Sequence, residues 1–444
     1  MVYDVPEVRG QYVSLGDGWT YLNAHERPQI PQRVATGVAR AFRTSTSPLA
    51  GSGAPTGSHA DHRDGQFEGH LHISAARRAI ADLVGGSARA VVLGPSLEAL
   101  YGMLARAMGP MLRRGSQVLL SNLDRPQLSH QLSQASVNAV WAQPDLATGE
   151  LPAFQFAELV DPATRLVAFP AAQDLLGTVT PVAEITDMVH EAARSWVLVD
   201  ATAYACYRPV DMSEWGADIV GVDLARLGGP RIAALVFRDE LMLNRLDPVD
   251  PMAERGSVEA LETPVSEGLA GGVSPLVDHL ANLARRGGHQ GAGSYGGRRS
   301  ASRAGWAAGE GSGGGQAGPA LSRRERLIYS MGEMSTYLQD LGRDLETFIG
   351  SLPSVHILGV SGEAAQGSHN DRVPRISFAV RGVPARTVYQ RLLDNGLVTT
   401  VTPVTPLVRE MGAEEIGGAV TVSLAPFNQD HDIEHLTRVV ASLA

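Results

Sequence analysis

Between about residues 80 and 240, short apolar runs alternate with amphipathic stretches of helical period, the pattern of a parallel sheet with helices on its faces. Seven runs predict strands: AVVL (90–93), QVLL (117–120), AVWA (139–142), RLVAF (165–169), WVLVD (196–200), DIVGV (218–222) and RIAALVF (231–237). Each is nearly continuous in Val, Leu, Ile and Ala. Strands buried on both faces read this way, so the sheet is expected to be mostly parallel and fully covered. Helices are predicted between the strands, for example over 97–108 and 182–194.

A second block opens near Leu321 with a long helical pattern and continues through the strand candidates VHILGV and RISFAVR. A helix at PARTVYQRLLDNG, a strand at AVTVSLA and a terminal helix at DHDIEHLTRVVASL complete it. The mixture predicts a smaller α+β domain. Residues 287–318 hold 13 glycines in 32 positions, too little apolar surface to offset the entropy of ordering, and read as a flexible insertion. The predicted organisation is an N-terminal segment with a site-side loop (1–75), a large α/β domain (76–286), the Gly-rich insertion (287–320) and the small domain (321–444).

Composition changes this picture in one respect. All 37 basic side chains in 444 residues are arginine, and lysine is absent. A GC-rich genome favours arginine, alanine and glycine codons and accounts for the general depletion. It has a chemical consequence all the same, because a guanidinium stays protonated and cannot act as an amine nucleophile. The net charge of −10 and the lack of a basic stripe argue against nucleic acid as a partner. The N-terminus lacks a signal-peptide pattern, and no apolar run reaches the ~18 residues of a membrane helix. A soluble, cytoplasmic protein without a membrane partner is expected. The single cysteine, Cys206, lies between aromatic residues and reads as a small buried hydrophobe.

The order YLN near the N-terminus, a strand followed by GPSLEA, then LLGTVTPV, VLVD and GADIVGVDLARLGGPRIAALVF, resembles the class V aminotransferase and cysteine desulfurase family. The resemblance spans nearly the whole chain outside the insertion. It implies a fold type I pyridoxal phosphate (PLP) transferase architecture: a mostly parallel seven-stranded sheet covered by helices, plus a smaller C-terminal α+β domain. A homodimer is implied as well, because family sites are built at a twofold interface.

Carried over position by position, the resemblance implies a site that has lost its chemistry. The family's aldimine lysine lies three residues before a Gly-Pro pair, here Gly229-Pro230, and is matched by Arg226. The histidine before it is matched by Ala225, and the phosphate-cradling turn by Pro95, Ser96 and Leu97. The ring-stacking histidine falls within Asp124-Arg125-Pro126-Gln127, where no aromatic stands. Asp174 replaces an asparagine, Ala203 a glutamine, and Pro264-Val265 the Gly-Thr lent by the neighbouring subunit. Asp200 remains, at the position that holds the pyridinium nitrogen. Ser96, Asp174 and Asp200 are thus the remnant cofactor-binding residues. Arg226 is expected to pair with Asp200 or Asp223. No cysteine follows Cys206, so the mobile-loop cysteine of desulfurase chemistry is missing.

The sequence therefore predicts an aminotransferase class V or desulfurase-like protein that forms no internal PLP aldimine, a non-catalytic or regulatory relative keeping the fold and dimer. No covalently bound cofactor is expected; non-covalent PLP is the lesser alternative. A second reading is a lysine-independent enzyme using the remodelled cleft on an amino-acid-like or other small molecule, with Asp200, Asp223 and Tyr207 as candidate catalytic groups. A third is a metal-dependent activity from the segment holding His59, His62, His70 and His72, although its spacing matches no strong zinc pattern. A polar loop with solvated histidines competes with it.

Overall fold

The computed structural model describes residues 3–15, 18–50, 62–134, 138–284, 321–359 and 371–443. The chain opens with a short helix (Val5–Arg9), followed by strand β1 (Thr20–Tyr21), helix Gln32–Thr44 and an antiparallel pair of β2 (Pro48–Ala50) with β3 (His62–Phe67). Helix Glu68–Val84 follows. It begins ahead of residue 76, where the large domain is expected to start.

Seven strands then form the central sheet: β4 (Val91–Gly94), β5 (Gln117–Ser121), β6 (Asn138–Ala142), β7 (Thr164–Pro170), β8 (Trp196–Asp200), β9 (Ile219–Asp223) and β10 (Ala233–Phe237). Their spatial order is β4-β10-β9-β8-β7-β5-β6. The strands from β9 through β6 pair in parallel, whereas β10 runs antiparallel to both β9 and β4. The apolar runs produce this arrangement directly. Along β8, Val197 and Val199 point into one buried cluster and Leu198 into the other, so alternate side chains fill the two faces.

The small domain contributes β11 (Val355–Ile357), β12 (Arg375–Val380), β13 (Leu397–Val398), β14 (Thr400–Val401) and β15 (Val420–Ser423). Four of these form an antiparallel sheet in the order β11-β12-β15-β14. Helix Arg323–Gly350 leads into it, started by a Ser322–Glu325 capping box that satisfies otherwise unpaired amides. β1 pairs in parallel with β13, and the His25 amide donates to Ser423 Oγ at 2.8 Å. The N-terminal segment is therefore stitched to the small domain, a partition the sequence pattern did not predict.

One glycine sets the distance between the domains at the site. Gly177, at φ +78°, lets its turn approach the chain entering β12; a Cβ there would lie within 2.6 Å of the Val373 and Arg375 carbonyls. The Gly-rich stretch expected at 287–320 lies outside the described residues.

Candidate functional site

The carboxyl ends of the parallel strands converge on a cleft closed on its far side by the small domain, the place where open α/β sheets bind ligands. Ser121 ends β5, Asp174 follows β7, Asp200 ends β8 and Asp223 ends β9. The 3-10 turn Leu224–Leu227 carries Arg226, and Asp223 starts that turn by accepting the Ala225 amide at 3.0 Å. Arg125 stands just ahead of helix Pro126–Ser133. From the opposite side Arg375, the first residue of β12, reaches in.

Two ion pairs organise the cleft. Arg125 Nη2 donates to Asp200 Oδ2 at 2.8 Å, while Asp200 Oδ1 accepts the Thr202 amide at 3.0 Å. Arg375 Nη1 donates to Asp174 Oδ1 at 2.6 Å. Arg226 lies beside that second pair, its Nη1 3.6 Å from Asp174 Oδ2 and donating to the His25 carbonyl. The expected partnership of Arg226 with Asp200 or Asp223 is therefore replaced: Arg226 meets Asp174, and Asp200 is taken by Arg125. The physical reason is that the Asp223 carboxylate is spent on its own turn and Asp200 already accepts a charged donor.

Burial and charge shift these groups in opposite directions. Burial, reinforced by the neighbouring Asp200 charge, pushes the Asp124 carboxyl up to about 7. Burial works against Asp174 too, but the guanidiniums of Arg375, Arg226 and Arg125 outweigh it and hold the carboxyl down at about 2. Burial would lower the Arg125 pKa, yet the carboxylates of Asp200 and Asp174 drive it upward. His25 is held down at about 4 by burial and the Arg375 charge. Burial raises Asp223.

The remaining candidates occupy other surroundings. Tyr207 is buried, donates to the Leu424 carbonyl at 2.9 Å, and accepts from Arg375 Nε at 3.2 Å, its ring under the guanidinium. Burial pushes its phenol up to about 12, so it serves as a packing and positioning group. Ser96 caps helix Leu97–Ala107 through the Ala99 amide. Cys206, half-buried against the core, donates its thiol to the Thr202 and Arg226 carbonyls.

The histidine cluster is only partly described. His70 and His72 lie on helix Glu68–Val84, where residues two apart point to different faces. His72 Nε2 meets Thr44 Oγ1 at 3.3 Å, and His70 stands 3.9 Å from Glu267. His59 and the His62 side chain lie outside the described residues, and among the described residues no three His, Cys, Asp or Glu side chains gather to hold an ion.

The comparisons place this geometry. An uncharacterized Mycobacterium tuberculosis protein, MT3887, is 35% identical over 451 aligned positions covering 100% of both chains. The sequence profile for Aminotransferase class-V matches residues 54–263. Residues 54–263 belong to the class V aminotransferase family. Among solved structures, the cysteine desulfurase CsdA of Escherichia coli superposes with TM-score 0.74 over 100% of this chain and 98% of its own, at 16% identity. A C-DES mutant with glycine covalently linked to the PLP cofactor superposes with TM-score 0.69, at 16% identity over 98% of each chain. These likenesses establish the fold type I transferase architecture.

Tested against the family's cofactor, the residues present do not fit. The class V site implied by the resemblance needs an amine at position 226 and an open Asp200 for the ring nitrogen. The chain has no lysine anywhere, and Asp200 Oδ2 is already held by Arg125. The residue that closes that contact comes from the very stretch where the stacking histidine was sought. In the sequence, Asp124 to Gln127 stand out only for the aromatic they lack, and nothing local marks Arg125, Arg375, Asp124 or His25. The available signal was charge complementarity: a family position that loses its ring gains a long cation opposite an unpaired aspartate.

Proposed function

We propose that this class V aminotransferase-family protein forms no internal aldimine and that its former cofactor cleft serves as a ligand-binding site in a non-catalytic or regulatory role. The observation that carries this reading is the 2.8 Å pair of Arg125 with Asp200. It puts a permanent guanidinium charge where the family's resemblance puts the pyridinium nitrogen, in a chain that has no lysine to bind the aldehyde. The coordinated change at Arg125, Asp174 and Arg226 argues that the cleft was rebuilt around arginine–carboxylate pairs instead of simply losing one residue. A homodimer belongs to the same proposal. Its support is the exposure of Phe42, Phe67 and Leu71 around the paired helices Gln32–Thr44 and Glu68–Val84.

The test is direct. Purified full-length protein incubated with pyridoxal phosphate and reduced with borohydride is expected to show no visible absorbance of an aldimine and no pyridoxyl adduct on an internal residue by peptide mass mapping. An adduct anywhere other than the N-terminal amine would falsify the reading. Sizing by light scattering checks the dimer, and a clean monomer removes that part.

One observation favours a second reading, a lysine-independent enzyme. Asp124 lines the cleft with its carboxyl at about 7, where a side chain can both give and take a proton at neutral pH.

A further inference from the structure

The cleft contains a cavity of about 370 Å³. Arg125 and Arg226 line it, together with the apolar surfaces of Trp141, Leu175 and Leu407. Their guanidiniums are underused. A guanidinium offers five N–H donors. Among the described residues Arg125 spends Nη2 on Asp200, which leaves Nε and Nη1 without an acceptor. Arg226 spends Nη1 on the His25 carbonyl and stands 3.6 Å from Asp174, so its Nε and Nη2 are equally unmatched. Both side chains line the cavity and stay partly exposed, at 18% and 26%. Arg375 gives the contrast: it is 1% exposed and its contacts run to Asp174 and Tyr207.

The acidic groups near the cavity do not supply the missing acceptors. Asp174 is engaged by Arg375, Asp200 by Arg125 and the Thr202 amide, Asp124 by the Arg125 amide at 2.7 Å, and Asp223 by the Ala225 amide. His130, the remaining titratable group on the wall, is a donor when protonated. Two planar forks with unmatched donors in the wall of one cavity suit a two- or three-oxygen anion, which arginine binds with paired hydrogen bonds.

We propose that Arg125 and Arg226 clamp the oxyanion of a small-molecule ligand, a carboxylate or a phosphate, whose apolar body lies against Trp141 and Leu175. The proposal rests on the reading of the cleft as a binding site. Asp174 and Asp200 then act as positioning residues that hold Arg226 and Arg125 at the cavity wall.

The experiment is a titration of the full-length protein with benzoate, succinate and inorganic phosphate at constant ionic strength, followed by calorimetry and thermal shift, with sodium chloride as the matched control. At least one oxyanion is expected to bind saturably and raise the melting temperature. Arg226→Gln is expected to weaken that binding about 10-fold or more, with its own melting temperature in the absence of ligand reporting that it folds. Arg125→Gln is the second variant and is expected to weaken the same ligand. Binding of benzoate or succinate alone assigns a carboxylate, and binding of phosphate alone assigns a phosphate. Failure of all three to exceed the chloride control overturns the clamp, as does binding that both variants leave unchanged. Neither result touches the borohydride test, so a failed clamp and a failed cofactor-free reading are told apart.

Discussion

The interior of the central sheet and the crest at its carboxyl ends have followed different rules. In the interior, the strands are mostly apolar runs whose alternate side chains feed two buried clusters, and the strand order suits a fold that superposes on CsdA at only 16% identity. At the crest, a short walk from Asp174 to Asp200 meets three arginines and a carboxyl at about 7. Apolar burial is non-directional and survives any volume-conserving exchange. A site depends on single atoms, so a handful of substitutions rewrites it while the sheet beneath stays intact.

The largest expected effect tests whether the rebuilt crest has become structural. Arg375→Ala removes a side chain 1% exposed and leaves Asp174 without its closest cation. We expect a loss of about 3–5 kcal/mol in a denaturant titration, the cost of breaking a buried pair. Leu198→Ala, in the fully buried middle of β8, is expected to cost about 2–5 kcal/mol by cavity formation. Comparable losses would put the crest pair on the same footing as the sheet. A negligible loss for Arg375→Ala would break the comparison, because the crest would then be decoration on an independent core.

The two regions were also unequally legible in the sequence. Val, Leu and Ile runs announce buried parallel strands through composition alone, and β8 falls on residues 196–200, where WVLVD was read. Asp200 and Arg226 were found because they occupy recognisable positions in the chain. Their actual partners, Arg125 for Asp200 and Asp174 for Arg226, carry no such mark. Arg125 lies 75 residues from Asp200 and Arg375 lies 201 from Asp174, and no periodicity links such partners. With 37 arginines in the chain, nothing local marks the ones that matter. The contact of β1 with β13 escaped for the same reason, since a two-residue parallel bridge carries no pattern.

A smaller effect sharpens the chemistry of the crest. Arg125→His combined with Arg226→Lys frees Asp200, returns a ring to the stacking stretch and supplies the one amine the chain lacks. After incubation with pyridoxal phosphate and reduction, this double variant is expected to carry a pyridoxyl adduct at position 226, at a level the parent protein does not reach. Mass mapping of the tryptic peptide measures it. If the double variant stays unmodified while folding normally, the obstacle lies in the phosphate end of the cleft around Ser96 and not in the Arg125 contact.

The smallest effect is a pH dependence. Asp124 titrates at about 7 in the folded protein, against ~3.9 in an unfolded chain, so between these values the folded state holds a proton that the unfolded state has released. Stability attributable to this group is therefore complete below about pH 4 and declines as pH rises toward 7. Asp124→Asn keeps an oxygen for the 2.7 Å bond from the Arg125 amide and removes the titration. The variant should melt at the same temperature as the parent near pH 4 and roughly 2–4 °C higher at pH 8. Thermal unfolding across that range measures the difference. Because the raised value draws on burial and on the Asp200 charge, a difference that does not change with pH would mean the carboxyl is open to water, and the crest would then be a wetter and looser place than the paired arginines imply.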